Sequence, residues 1–565
     1  MLERKNNCNN CSFHLYISSH PLSVSLSPQN HPKKKGGKPA PCFCFVLRRR
    51  RRGSRSGAED TLHRRERERR ESSDINIYIY FYMDFSQCQR SSVCPIYAQD
   101  SFQSYLASSM DFRVVIRESQ SLQVKKVFSC LDRVKLVRGA PQGGFILAML
   151  KDRPVVQVIK VSDTGMYVPE HSNDHHHRHH GGGGGEVETT TTEEEEWTCR
   201  ITEGAAGIGN AFWGPTSRHV ITLADFNVRM SIWSLEDRSC VHVKFPKLST
   251  RRGFDFSPDG SFMCVARRRR PDRGSGGRGK DMLLVMDTKT WEAVAEFEVC
   301  TSDLASVAWS PTGSCIAVCD AAVEGSMVAS YSPDGRCLGR FEAHGPNQLG
   351  VRSMSWSPDG SVLAVAGYDG VLRLVAGDTW EQACACEHDK AVSGPSGVVI
   401  YEEEEGDKRP RYDVVASLPY KIRQIAASTA MPTQSKRGAS ASAGGGGTSS
   451  GIRLMEWSRD GAFVASVTDE TPGAVWLWSA STRRLVAVLV HGSRVECMRW
   501  DPRRARLAIV CGGERVYVWT EEGASLIRVP VEEVKRATTV AWDPSGESIT
   551  VFDKDASVFC CCFIV

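Results

Sequence analysis

Four short stretches carry residue types that could do chemistry. Five histidines between positions 175 and 180 could ligate a metal ion. Gly274–Lys280 has the spelling of a phosphate-binding loop up to its lysine. Cys562–Val565 has the form of a prenylation box, and Cys8 and Cys11 form a CxxC pair. Each stretch must be weighed against the element that would position it.

The surroundings of these stretches argue against each chemistry, and the Cys8–Cys11 pair lies in a segment that we do not expect to fold. The histidines run into Gly181–Gly185, which cannot hold ligands in a set geometry. Asp281 stands where a phosphate loop needs Ser or Thr, and no strand–helix unit surrounds it. The terminal residues also fit a strand over Ser557–Phe563. No Ser/His/Asp or Cys/His nucleophile motif is recognisable. We therefore expect no enzyme, no catalytic residue, no metal site and no cofactor.

Charge is concentrated at the amino terminus. Residues 1–82 hold 17 Lys and Arg against 7 Asp and Glu, whereas the whole chain of 565 residues has a net charge of only +5. The run Arg48–Arg52 could serve nuclear import or nucleic-acid contact, but blocks of like charge are mostly solvated tails. We interpret 1–82 as a disordered basic leader, with Met83 as the expected start of the folded body. Overall basicity therefore does not predict a nucleic-acid partner.

A repeat of about 40 residues governs the rest of the chain. Its recurring phrase is an aromatic residue followed by Ser-Pro-Asp-Gly, in which Pro and Gly suit the two corners of a turn. Seven clear copies and two degenerate ones, near Tyr97 and Val137, make nine. The predicted turn residues are Trp213, Phe256, Pro258, Asp259, Trp309, Pro311, Trp356, Pro358, Asp359, Trp457, Asp460, Trp500, Pro502, Trp542 and Pro544.

Each turn is flanked by short apolar strands, and a third strand often ends in aromatic residues. The predicted third-strand aromatics are Trp233, Trp476, Trp478 and Trp519. Three strands and a looser fourth in each repeat indicate an all-β WD-repeat β-propeller. We predict packing roles between blades for these aromatic side chains, not ligand binding.

The propeller is predicted to form a single ring of seven to nine blades over residues 83–565. The last repeat supplies only three strands, so Asp84–Arg90 is expected to add the fourth and close the ring. Low-complexity segments at 163–196, 267–280 and 402–450 are predicted to be loop insertions. No apolar run approaches the ~20 residues of a membrane helix.

From Met83 onward the chain resembles the WD-repeat protein-eight family of centrosomal and spindle-pole proteins. The resemblance rests on these segments: Met83–Ser86, Cys130–Asp132, Phe145–Leu147, Trp197–Ile201, Lys244–Lys247, Pro472–Trp478, Arg506–Ile509 and Cys511–Gly513. It covers about 480 residues in one register.

This resemblance implies a non-catalytic scaffold at the centrosome, microtubule-organising centre or spindle pole, in the cytoplasm and cytoskeleton. Family membership implies microtubule minus-end anchoring, spindle organisation and cilium assembly. The implied partners are a coiled-coil anchoring protein and a kinesin-14 motor, with no nucleic-acid, membrane or small-molecule ligand. The alternative is a WD-repeat adaptor in ubiquitin ligation or RNA processing. A hydrolytic propeller would need polar clusters facing the central channel, and the sequence shows no such pattern.

Overall fold

The computed structural model describes thirteen stretches of the chain. They are residues 13–17, 20–24, 83–99, 104–161, 186–190, 198–269, 279–320, 327–342, 350–392, 397–403, 412–415, 420–421 and 451–564. The body of the protein is a ring of nine antiparallel sheets, or blades, as the predicted all-β propeller requires. Nine blades is the upper end of the predicted range.

The blades follow one another along the chain, and blades 1 to 8 are each built on four strands in sequence order. Blades 1 to 3 are formed by Ile96–Gln99, Ser104–Met110, Arg113–Glu118 and Val124–Ser129; by Val134–Gly139, Phe145–Leu150, Val155–Lys160 and Thr198–Thr202; and by Asn210–Trp213, His219–Leu223, Arg229–Ser234 and Cys240–Lys244. Blades 4 to 6 are formed by Phe254–Phe256, Phe262–Arg269, Lys280–Asp287 and Ala293–Glu298; by Leu304–Trp309, Ile316–Asp320, Met327–Tyr331 and Cys337–Glu342; and by Val351–Trp356, Val362–Gly367, Leu372–Ala376 and Gln382–Cys386. Blades 7 to 9 are formed by Ile452–Trp457, Phe463–Thr468, Ala474–Ser479 and Arg484–Val490; by Cys497–Trp500, Leu507–Val510, Arg515–Thr520 and Gly523–Arg528; and by Thr539–Trp542, Ser548–Asp553 and Val558–Ile564, which the amino-terminal strands complete.

Burial along the strands follows from this architecture. Second and third strands such as Phe145–Leu150 and Ala474–Ser479 are buried at every position, because each blade is covered on both faces by its neighbours. Outer strands such as Ala293–Glu298 are mostly exposed. Apolar clusters span successive blades around the ring. The core is therefore a circle of interblade layers.

The amino-terminal strand closes the ring, as predicted. Met83–Phe85 and Gln89–Arg90 both pair antiparallel with Val558–Ile564, the third strand of blade 9. The Tyr97 hydroxyl of blade 1 lies 2.7 Å from Thr550 Oγ1 of blade 9. Leu106 of blade 1 packs with Phe552 and Phe559 of blade 9. Both ends of the body thus join one blade, and that blade contacts the first.

The predicted insertions differ from the structure in part. The predicted loop 267–280 is shorter in the structure. Arg267–Arg269 continue the second strand of blade 4, and Arg269 pairs with Lys280 of the third strand. Within 402–450, Val399–Glu403 pairs parallel with Arg484–Val490 as a fifth strand of blade 7, and Tyr412–Val415 adds a sixth. Tyr420–Lys421 pairs with Ala391–Val392. Within 163–196, Glu186–Thr190 adds an outer strand to blade 2. In these places, pairing with a neighbouring strand stabilises segments whose polar composition had predicted a loop.

The remainder of the three predicted insertions and most of the leader lie outside the described residues, as does the histidine cluster. Within the leader, Phe13–Ile17 pairs with His20–Val24 as a hairpin. Three short 3₁₀ helices complete the described secondary structure: Gly204–Ala206, Asp225–Asn227 and Arg251–Gly253. No helix in the described stretches is long and apolar enough to cross a membrane.

Candidate functional site: interblade contacts and the loop face

The predicted turn aromatics all end the first strand of a blade. In five blades the indole N–H of this tryptophan donates to a carbonyl of the preceding blade. The pairs are Trp213 to Arg138 (3.1 Å), Trp356 to Ala308 (3.3 Å), Trp457 to Ser355 (3.2 Å), Trp500 to Glu456 (3.0 Å) and Trp542 to Arg499 (2.8 Å). Trp309 instead donates to Gly313 of its own turn, and Phe256 has no donor. The structure thus gives five of these seven aromatics a hydrogen bond that links neighbouring blades.

The Ser-Pro-Asp-Gly turns are held by their own side chains. Ser357 Oγ lies 2.5 Å from Asp359 Oδ1, and the same contact recurs between Ser458 and Asp460. The hydrogen bond from Ser357 is the main cause of the lowered pKa of Asp359. Gly360 has a φ of +72°, as the turn chemistry predicts. Pro258, Asp259, Pro311, Pro358, Pro502 and Pro544 lie in the equivalent turns of their blades. These residues shape the turns of the ring.

The third-strand tryptophans lie within the blades. Trp233 Nε1 donates to Thr222 Oγ1 at 2.8 Å, and Trp478 Nε1 donates to Ser466 Oγ at 3.0 Å. Trp476 stacks on Trp478 with ring centroids 6.0 Å apart, while Trp519 is buried against Trp500. All four are therefore placed in packing roles.

Buried polar groups that the sequence analysis did not single out support these tryptophans. His388 Nε2 lies 2.7 Å from Ser466 Oγ, and its Nδ1 lies 2.8 Å from the Gly370 carbonyl. Burial lowers the pKa of His388 to about 4. In blade 3, Glu203 takes the equivalent place beside Thr222 and Trp233. These residues do not stand at a fixed distance from the turn motifs, because the connections before the blades vary in length. The repeat pattern therefore could not reveal them.

Glu403 is a second buried group that the sequence analysis missed. It accepts hydrogen bonds from the Gly492 amide at 2.8 Å, from the Tyr517 hydroxyl at 2.8 Å and from the Arg515 guanidinium. Burial alone would raise the pKa of Glu403, but these hydrogen bonds bring it below its ordinary value. Glu403 thereby ties the fifth strand of blade 7 to blade 8.

Alternating strand direction separates the two rims of the ring. Turns between first and second strands, and those between third and fourth strands, lie on one rim, which we call the turn face. The Ser-Pro-Asp-Gly turns lie there, and the copy Ser332–Gly335 is the one between a third and a fourth strand, in blade 5. Turns between second and third strands, together with the connections between blades, lie on the other rim, which we call the loop face. The strand order therefore assigns each exposed loop to a face.

The most exposed large apolar side chain among the described residues lies on the loop face. Phe226 is 97% exposed and has a φ of +60°, a conformation that costs energy for a residue with a bulky side chain. Val228 beside it is 47% exposed, and Phe245, in the connection to blade 4, has a φ of +56°. An exposed aromatic in a strained loop points to an interaction surface more than to a packing role.

Hydrogen bonds join this apolar group to the rim of blade 4. Asn227 Nδ2 donates to the Lys247 carbonyl at 2.9 Å, and the Phe245 amide donates to the Val228 carbonyl at 3.1 Å. The Arg268 amide donates to the Phe245 carbonyl at 3.4 Å. We call Phe226, Val228 and Phe245 the apolar patch.

A groove of about 560 Å³ lies next to the patch and is lined by Phe245, Lys247, Arg268, Arg269 and Asp303 among others. The buried ammonium group of Lys247 pairs with Asp281 at 2.6 Å and with Asp303 at 2.7 Å. Arg269 has no ion pair within the described stretches. The patch and groove together form the candidate protein-binding surface.

Two residues that the sequence analysis weighed for chemistry lie in strands of the ring. Cys562 lies in the third strand of blade 9 with 2% exposure, and burial raises its pKa. Lys280 begins a strand of blade 4. Across the described residues, no group of three or more His, Cys, Asp and Glu side chains could hold a metal ion.

A family model and two relatives in sequence agree with this fold. The family model "WD domain, G-beta repeat" matches residues 335–375, from the end of blade 5 into blade 6. The chain is similar to WD repeat-containing protein WRAP73 of Mus musculus, with 30% identity over 469 residues that cover 81% of this chain and 91% of that protein. An uncharacterized WD repeat-containing protein of Schizosaccharomyces pombe is 22% identical over 304 residues, 53% of this chain and 56% of that protein. A chain of a mitotic checkpoint complex crystal structure matches with a TM-score of 0.34 and 12% identity, covering 64% of this chain and 96% of that one.

Fold and repeat together define the class: this is a WD-repeat β-propeller, an architecture that typically serves as a non-catalytic scaffold. Identity and coverage then fix the family. The chain belongs to the family of WD repeat-containing protein WRAP73, as the resemblance to the WD-repeat protein-eight family predicted.

Proposed function

We propose that this protein is a scaffold at the centrosome or spindle pole that anchors microtubule minus ends. In this role it supports spindle organisation and cilium assembly through protein binding alone. Membership of the WRAP73 family carries the proposal, because the match spans nearly the whole of that relative. The coiled-coil anchoring protein and the kinesin-14 motor are the partners proposed with it.

The architecture suits a bridging mechanism. A closed ring presents preformed loops on two faces, so these loops lose little conformational entropy when a partner binds. Two partners held on one ring raise each other's effective concentration. The apolar patch on the loop face is the surface we propose for one of them.

Localisation in dividing cells tests the proposal. The tagged chain should concentrate at spindle poles or ciliary bases, and its depletion should detach or shorten spindles. A diffuse nuclear signal with ubiquitin-ligase or RNA-processing partners would overturn the proposal and favour the alternative adaptor.

A pair of variants tests the patch separately. Phe226→Ala removes a side chain that is 97% exposed, so it should leave the melting temperature unchanged while weakening recruitment of a pole partner. Phe112→Ala is the matched control, since Phe112 is 49% exposed in the corresponding turn of blade 1. Equal recruitment of the partner by the two variants would show that the apolar patch is not its binding surface. The proposed localisation would still stand.

A further inference from the structure

Two arginines are turned out of the regular strand pairing by bulges at the same place in successive blades. In blade 6, Val351 pairs with Gly367 and Ser353 with Ala366, so Arg352 between them has no partner in the register. In blade 7 the same shift leaves Arg453 unpaired. Both arginines stand four residues before their blade's tryptophan. Bulges of this kind often re-aim a side chain at a functional site.

A third arginine reaches the same region from blade 4. Arg252 stands four residues before Phe256, the equivalent position in that repeat. Its Nη1 donates to the Arg352 carbonyl at 3.4 Å, so it spans blade 5, where the bulged residue is Ala305. Each arginine lies where the chain enters the innermost strand from a connection between blades. They therefore gather at the mouth of the central channel on the loop face.

A fourth arginine stands beside them in the connection to blade 8. Arg453 Nη2 donates to the Val495 carbonyl, and the exposed Arg494 is the neighbouring residue. Burial and then the positive charge of Arg494 lower the pKa of Arg453. Arg252, Arg352, Arg453 and Arg494 are called the arginine cluster below.

The carboxylates nearby do not balance this charge. Asp469 contacts the guanidinium of Arg352 and lies 3.8 Å from Arg453 Nε, and Glu496 also acts on Arg453. Among the described residues, Arg252 and Arg494 have no ion pair, and Arg453 Nε has no hydrogen-bond acceptor. Through these contacts the four cations meet two acids, and like charges held together are destabilising unless an anion joins them.

We propose that the arginine cluster binds a multiply charged phosphate anion at the channel mouth. Guanidinium groups present planar pairs of N–H donors that match phosphate oxygens. Several such groups from separate blades suit a ligand with several phosphates. This site goes beyond the scaffold role and does not depend on it.

Titration of the full chain with inorganic phosphate, pyrophosphate and inositol hexakisphosphate tests the site by calorimetry at constant ionic strength. Affinity should rise with phosphate number. The double variant R252Q/R494Q should bind inositol hexakisphosphate at least tenfold more weakly, with an unchanged circular dichroism spectrum, because neither side chain holds an ion pair among the described residues. R453Q should show a similar loss if it folds.

The control has the same change of charge elsewhere on the ring. Arg483 and Arg484 are exposed at the turn face of blade 7, so R483Q/R484Q should bind as the unaltered chain does. Equal weakening in the two double variants, or no binding by any phosphate probe, would overturn the proposal. A short phosphoserine peptide, titrated in competition with inositol hexakisphosphate, separates the sources: displacement indicates a phosphorylated partner, and its absence indicates a free anion.

Discussion

The indole N–H of Trp542 donates to the carbonyl oxygen of Arg499 at 2.8 Å, across the boundary between blades 8 and 9. Arg499 directly precedes Trp500, whose own indole reaches back to blade 7. Two neighbouring residues therefore serve successive blade boundaries: the Trp500 indole donates to blade 7, and the Arg499 carbonyl accepts from blade 9. The repeat is thus a chain of contacts between neighbours as well as a series of turns.

Replacing Trp542 with Phe should lower the free energy of unfolding by about 2 kcal/mol, because the hydrogen bond to the Arg499 carbonyl is lost. Hydrogen exchange should quicken in the first strands of both blades 8 and 9. Trp309→Phe is the control, since that indole serves its own turn. Faster exchange at a neighbouring blade in the control would contradict the interblade role.

Closure of the ring should depend on the segment after Met83. A chain starting at Met83 should melt at the same temperature as the full chain. Further deletion through Arg90 should lower the melting temperature and cause aggregation, because it exposes the edge of Val558–Ile564. Equal melting temperatures and solubility for the two truncated chains would contradict this role in closure.

Glu403→Gln should destabilise the protein by about 2 kcal/mol in urea unfolding, because the charged hydrogen bonds to Arg515 and Tyr517 are lost. Glu522→Gln, at an exposed position of blade 8, should have no measurable effect. Similar midpoints for the two variants would mean that the fifth strand of blade 7 does not depend on Glu403.

Stability should fall on acidification through the buried histidines. The pKa of His388 is about 4 in the folded chain against an ordinary value of 6.5, so the unfolded chain takes up the proton first. His491 behaves in the same way. Stability is therefore full above pH 6.5 and is lost as the pH falls towards 4, by at most roughly 3 kcal/mol for each histidine.

Thermal unfolding between pH 8 and pH 5 measures this loss. His388→Asn should lower stability at pH 8, where its hydrogen bonds are lost, but should flatten the dependence on pH. An unchanged slope would show that His388 is not the titrating group.

The repeat, the class of WD-repeat propeller and the family all follow from the amino-acid sequence alone. The Ser-Pro-Asp-Gly turns are local structures whose hydrogen bonds join residues two to five apart, so the residue types suffice to predict them. Strand periodicity and the missing fourth strand predicted the closed ring. Nothing comparable marked Glu403, because the composition suggested a loop, whereas the segment is stabilised by a parallel strand whose residues lie 88 positions further along the chain.

Each of the two candidate surfaces is assembled from residues of separate blades, so neither could be found before the ring was known. Phe245 and Arg269 line one groove although they come from different parts of the repeat array, and the four arginines converge from blades 4, 6, 7 and 8. Two of these arginines depend on bulges, which are register shifts between strands and leave no mark in either strand's sequence. Local turns follow from residue type, whereas a surface built from separate blades follows from how the ring closes.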